Sequence, residues 1–170
     1  MTETIEVLDR GARLTFSFDD ILKYHGPRSP GGAAHAFKVL QRALPLLAPH
    51  GPCERREIIV ETAFGGPGAR DAFEMVTRAV TDDRFRVDAG LARPERGRAL
   101  ERFVFRLGYR DRWTTLALRD GFVTDEFIDL AHSEGRTAEQ ERRLDVLKGE
   151  MAGRVMARPA HEVYDADQLE

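Results

Sequence analysis

The stretch Glu57-Ile58-Ile59-Val60-Glu61-Thr62-Ala63-Phe64-Gly65-Gly66-Pro67-Gly68-Ala69-Arg70-Asp71-Ala72-Phe73 runs from β-branched residues through a glycine-rich turn into helix-forming residues. Ile58, Ile59 and Val60 favour a strand over Glu57 to Thr62, and Gly65-Gly66-Pro67-Gly68 ends it. Pro67 suits the first turn of a helix, where its missing N–H has no partner to lose. Ala72, Phe73, Val76, Ala79 and Val80 give that helix a buried side. A strand feeding directly into a helix makes this a chain that mixes both element types.

Toward the N-terminus, Ser17 and Asp20 form a capping box ahead of Phe18, Ile21 and Leu22, and Gly26-Pro27 stops this short helix. After the loop from Tyr24 to Gly32, Ala33, Ala36, Phe37, Leu40, Ala43, Leu44 and Leu47 recur at helical spacing. A second helix therefore runs to about Leu47 with one broad apolar face, distorted near Pro45. Residues 1–14 read as an extension ahead of these elements.

Toward the C-terminus, Arg84 to Asp88 alternates as a strand, and Pro94 to Arg98 is a loop. Phe103, Phe105 and Leu107 alternate with Arg102, Val104 and Arg106, then Tyr109 to Arg112 turns the chain into Trp113–Leu118, which is a β-hairpin. Thr124 caps a helix to about His132, and Thr137 with Gln140 caps another carrying Leu144, Leu147, Met151 and Val155. Residues 137–170 form a C-terminal helix and tail, and the tail after Pro159 is polar apart from Val163, Tyr164 and Leu169. The fold class is α+β: one mixed β-sheet with an α-β-α-β-β-β core, helices on one side and C-terminal helices, in a single domain over residues 1–170.

The length of 170 residues is enough to bury one ordinary core. Lysine and arginine total 26 against 29 acidic residues, a net charge of −3 with both signs interspersed, so nucleic acid is not an expected partner. No run approaches the roughly 20 apolar residues of a membrane span, and MTETIEVLDRG has no basic start or apolar core. A cytoplasmic protein without membrane partners is expected. Cys53 is the only cysteine, which rules out an intrachain disulfide and a multi-thiolate metal site.

Several separated segments resemble the FmdE-like domain family of formylmethanofuran dehydrogenase. Where that family typically reads H-G-H-x-C-P-G, this chain reads His25-Gly26-Pro27-Arg28-Ser29-Pro30-Gly31. Where it reads E-T-x-x-C-x-x-D-A after a strand, Glu61-Thr62 is followed by a longer turn and Asp71-Ala72. The aromatic hairpin and Arg158-Pro159-Ala160-His161-Glu162-Val163-Tyr164 are also similar. The resemblance implies the α-β-α-β-β-β fold and a metal site in the loop. Pro27 replaces the family's second histidine and Ser29 its cysteine, Thr77-Arg78-Ala79-Val80 stands near the family's T-G-C-T, and the cysteine after Glu61-Thr62 has no counterpart. A serine hydroxyl stays protonated at neutral pH and binds soft metals poorly, so the inherited thiolate site is not expected here.

Two motif regions hold the candidate site residues. His25 can bind a metal, act as a catalytic general acid/base, or cap the end of the first helix. His35 can lean back toward the loop as a ligand, although its stripe with Lys38 and Arg42 predicts solvent exposure. Glu61 and Asp71 flank the glycine-rich turn and, with His25, would make a hard site for zinc, iron or manganese. Asp71 equally suits an exposed place against its helix dipole. Gly65, Gly66 and Gly68, with Arg70 and with Arg28 from the other loop, can present N–H groups and positive charge to a small anionic molecule. Their glycines can equally serve backbone freedom alone. Ser29 can be a nucleophile with His25 as base, but no third orienting group is evident. A small-ligand or metal-binding domain, in a homodimer, is the expected function. A small enzyme and a structural partner of a larger complex are the alternatives.

Overall fold

Ser17 accepts the Asp20 N–H while Asp20 accepts the Ser17 N–H, and this capping box starts α1 (Phe18–His25), which ends at Gly26 with φ 89°. The computed structural model describes residues 3–167 and 169–170. Ahead of α1 the chain forms a hairpin of β1 (Thr4–Asp9) and β2 (Ala12–Ser17), so the described part of residues 1–14 is sheet and not an extension. Arg10 and Gly11 both take positive φ at its tip, as a two-residue turn requires, and the Glu54 carboxylate accepts both of their N–H groups. Ile5 and Val7 turn inward to the core. Met1 and Thr2 of the expected extension, and Gln168 of the expected tail, lie outside the described residues.

Helix α2 (Pro30–Leu47) begins at the proline, three residues before the first apolar position of its repeat, and contains Pro45. Residues 31–40 are all buried. The single apolar face expected from periodicity is therefore corrected: α2 is a central helix enclosed by α1, α3 (Pro67–Thr77), α5 (Ala138–Met156), the sheet and the N-terminal hairpin. After it, β3 (Cys53–Glu54) pairs parallel with β1 and not with its sequence neighbour, because a 3-10 turn at Arg55–Glu57 separates it from β4 (Ile58–Thr62).

The expected single sheet is thus two. One has the order β2-β1-β3. The other has five strands in the order β5-β4-β6-β7-β8, where β5 is Phe85–Val87, β6 Val104–Tyr109, β7 Arg112–Leu118 and β8 Tyr164–Ala166. Between β4 and β5, α3 (Pro67–Thr77) starts at Pro67 as expected but stops before Ala79 and Val80. Thr77 Oγ1 donates to the Phe73 carbonyl and Arg78 takes φ 60°, which ends the helix there. The buried guanidinium of Arg55 donates to the Met75 and Val76 carbonyls and holds this helix end to the sheet.

Thr124 caps α4 (Asp125–Ala131), and Thr137 and Gln140 form the expected capping box of α5. The polar-looking tail is a structural element: α6 (Ala160–Val163) leads into β8, which pairs with β7 and buries Tyr164 completely. Phe103, Phe105, Leu107, Val60 and Phe73 share the core with α2, and the mixed α+β architecture stands. Among the described residues no helix is long and apolar enough to cross a membrane.

Candidate functional site

The starts of α2 and α3 meet. A Cβ on Gly68 would lie 2.1 Å from the Ser29 carbonyl oxygen and 2.9 Å from the Ala33 nitrogen, and one on Gly32 would lie 3.0 Å from the Ala69 nitrogen. Only glycine permits backbones to approach so closely, so Gly68 and Gly32 are contact residues between the two helix ends. Gly66 is set by the Phe64 ring, 2.5 Å from where its Cβ would be, while Gly65 has only the Val87 side chain nearby. Phe64 in turn stacks on Phe103 with ring centres 4.6 Å apart.

His25 fixes this junction. Its Nδ1 lies 2.8 Å from Asp71 Oδ2, tying the end of α1 to α3, and its Nε2 accepts the Ser29 N–H at 3.1 Å. The side chain is 6 % exposed. Because Nε2 must accept from Ser29, Nδ1 carries the proton and donates it to Asp71. Both ring nitrogens are occupied, and neither bonds the carbonyls of α1. Asp71 is therefore held by His25 and not exposed beside Glu74 and Arg78 as its helix position alone suggests. The Ser29 hydroxyl does not reach His25, whose lone pair is already taken by the amide of the same residue.

The other two proposed ligands belong to separate networks. Glu61 accepts from Arg86 and Arg106 at 2.9 Å each. Its register beside those residues puts it on the sheet face opposite Val60 and the helices. His35 is fully buried, not exposed as its stripe implies, because α2 has no open side there. Its Nδ1 meets the Tyr164 hydroxyl at 2.8 Å, and its ring lies 4.6 Å from Phe103. Burial, with Arg154 nearby, holds its pKa down at about 3, so the ring is neutral. Among the described residues no three histidine, cysteine, aspartate or glutamate side chains gather to hold a metal ion. The side chains present do not fit the metal that the family resemblance implies.

What the junction does offer is donors. Neither the N-cap Ser29 nor the N-cap Gly66 closes its helix with a side-chain hydrogen bond, and neither helix has an acidic residue in its first turn. By position, the N–H groups of Gly31, Gly32, Gly68 and Ala69 have no intrahelical acceptor. Arg28 and Arg70 are exposed beside the two helix starts and enter no ion pair among the described residues.

The sequence reading missed other polar groups placed in or beside the core. Lys38 is fully buried with its Nζ 2.8 Å from Glu3. Gln41 Oε1 and His35 Nε2 are buried without a partner. Comparison of the sequence with models of protein families gives no match, and comparison with curated proteins gives no significant match.

Proposed function

We propose that the chain is a binding domain for a small oxyanion, a phosphate or carboxylate group, taken at the joined starts of α2 and α3. One observation carries this: two helix N-termini adjoin with no side-chain cap and no first-turn acid, so their free N–H groups and positive dipole ends have no internal counter-charge. His25 and Asp71 act as positioning residues that hold the loop and α3 together, and Arg28 and Arg70 supply the surrounding charge. We further read the chain as an FmdE-like domain that has given up its thiolates. What supports this is the order α2-β4-α3-β5-β6-β7 that remains once the two-residue β3, which belongs to the other sheet, is set aside, with the two motif regions at the same helix junction.

The anion reading is preferred over the metal reading because His25, His35 and Glu61 are each engaged elsewhere. It is preferred over acid/base catalysis because His25 has no free nitrogen. Titration of the ¹⁵N-labelled protein with inorganic phosphate at low ionic strength tests it. Saturable shifts of the Gly31, Gly32, Gly68 and Ala69 amides are expected. Arg28→Ala with Arg70→Ala should weaken binding about tenfold, as two exposed charge contacts allow. Shifts scattered over the arginine-rich surface, or none at these amides, would overturn it.

A further inference from the structure

At the other end of α2 the N-terminal hairpin covers the helix incompletely and leaves a cleft of about 420 Å³. That volume falls within the roughly 300–1,000 Å³ of small-molecule sites. Apolar residues form about half of its lining: Ile5 from β1, Leu40 and Leu44 from α2, and Ala48 and Pro52 from the segment that follows.

The polar groups of the cleft leave acceptors unsatisfied. Gln41 lines it, and its Oε1 is buried with no hydrogen-bond partner among the described residues. A buried acceptor without a donor is costly, about 1–3 kcal/mol, so a native structure that keeps one commonly meets it with something else. Pro45, also in the wall, has no N–H for the Gln41 carbonyl that would otherwise receive it. One donor in the wall is committed elsewhere. Cys53 Sγ donates to the Leu44 carbonyl at 3.9 Å, and burial pushes its thiol up to about 12, so it stays protonated and unreactive. The two charged side chains of the cleft, Glu6 and Arg13, lie within ion-pair reach of each other, and Glu6 Oε1, like Gln41 Oε1, accepts no hydrogen bond among the described residues. No net charge is left to attract an ion.

We propose that this cleft is a second binding site, for an uncharged small molecule with an apolar ring or branched body and one N–H or O–H donor, which Gln41 receives. It is independent of the oxyanion site: the two lie at opposite ends of the same helix and call for opposite ligand chemistry.

Indole and 1-methylindole are matched probes, since they share shape and differ in the single N–H. Titrated into the ¹⁵N-labelled full chain, indole should shift the amides of Ile5, Leu44, Ala48 and Cys53 and bind about tenfold more tightly than 1-methylindole, the effect of one buried hydrogen bond. Gln41→Leu, which keeps the volume and removes the acceptor, should make the two compounds bind equally. Ala48→Phe, which fills the cleft, should abolish both. A folded spectrum for each variant guards the comparison, and Gln41→Leu alone suffices if Ala48→Phe does not fold. The proposal fails if wild type binds the two compounds equally, if the preference survives Gln41→Leu, or if indole shifts none of the cleft amides.

Discussion

The two ends of α2 are built from the same helix and are opposite in chemistry. At the N-terminal end, glycine contacts bring a second helix start alongside, His25 and Asp71 engage each other, and what remains unsatisfied are N–H donors. Toward the C-terminal end Pro45 lies within the helix, the hairpin leaves a cleft, and what remains is the side-chain acceptor of Gln41. A helix exposes donors at one end and acceptors at the other, and most proteins close both with caps. Here the N-terminal end lacks a side-chain cap, while at the C-terminal end the Ala48 N–H and Cys53 meet the Leu44 carbonyl and the unpartnered acceptor is the Gln41 side chain.

The closeness of the N-terminal junction is the first thing to break. Gly68→Ala would put a methyl group against the Ser29 carbonyl, which is backbone and cannot swing away. A loss of about 3 kcal/mol is expected by urea denaturation, at the upper end for overpacking. A loss below about 1 kcal/mol would show that the helices separate easily and that the junction is not rigid.

Between the two ends sits His35, and its titration is the next test. Its folded pKa lies near 3, below the ordinary value of 6.5, because burial disfavours the charged ring and Arg154 adds repulsion. The unfolded chain therefore binds a proton that the folded chain refuses as pH falls below about 6.5, and stability rises with pH across that window. The slope is about 1.4 kcal/mol per pH unit, so roughly 2 kcal/mol should be lost between pH 6 and 4.5 beyond what the carboxylates contribute. His35→Gln should flatten that part of the stability profile; an unchanged profile would place a proton on His35 in the folded state.

Lys38, one turn further along, sharpens the contrast between engaged and unengaged groups. Its buried ammonium has Glu3 as its partner, and Glu3 is about two-fifths exposed. Glu3→Ala should cost about 2 kcal/mol by leaving a buried charge alone, less than for a fully buried pair, while Lys38→Met should be near neutral or stabilising. Equal losses in both variants would mean the lysine matters for packing and not for charge. The smallest effect is on α5: Gly149 and Gly153 have open space where a Cβ would go, so either one changed to alanine should add about 0.5–1 kcal/mol. Destabilisation there would reveal a close neighbour on that face.

Local chemistry made much of this legible in the sequence. The capping boxes at Ser17 and Thr137, the stop at Gly26, the start at Pro67 and the aromatic hairpin all depend on residues within a few positions of each other, and all appear where expected. What the sequence hid depends on distant partners. The N-terminal hairpin is the exception, a local feature that went unread: Ile5 and Val7 alternate as a strand should, Arg10-Gly11 is a turn signal, and all six residues of β1 pair with β2. The burial of His35 and Lys38 follows from α5 and the hairpin closing over α2, which no periodicity within α2 announces. Tyr164 sits in a polar tail and becomes core by pairing with Leu118 across the sheet edge. At the candidate site, the meeting of the two motif regions through His25 and Asp71 was legible from their residues. The diversion of Glu61 was not, because it follows from the side of the sheet that Arg106 occupies.

One ¹⁵N–¹H experiment tests the contrast between the two ends most directly: a single sample titrated with inorganic phosphate to saturation and then with indole. The account predicts separate sets of shifted amides, Gly31, Gly32, Gly68 and Ala69 for phosphate and Ile5, Leu44, Ala48 and Cys53 for indole, with the indole affinity unchanged by phosphate. Overlapping sets, or displacement of one compound by the other, would contradict it.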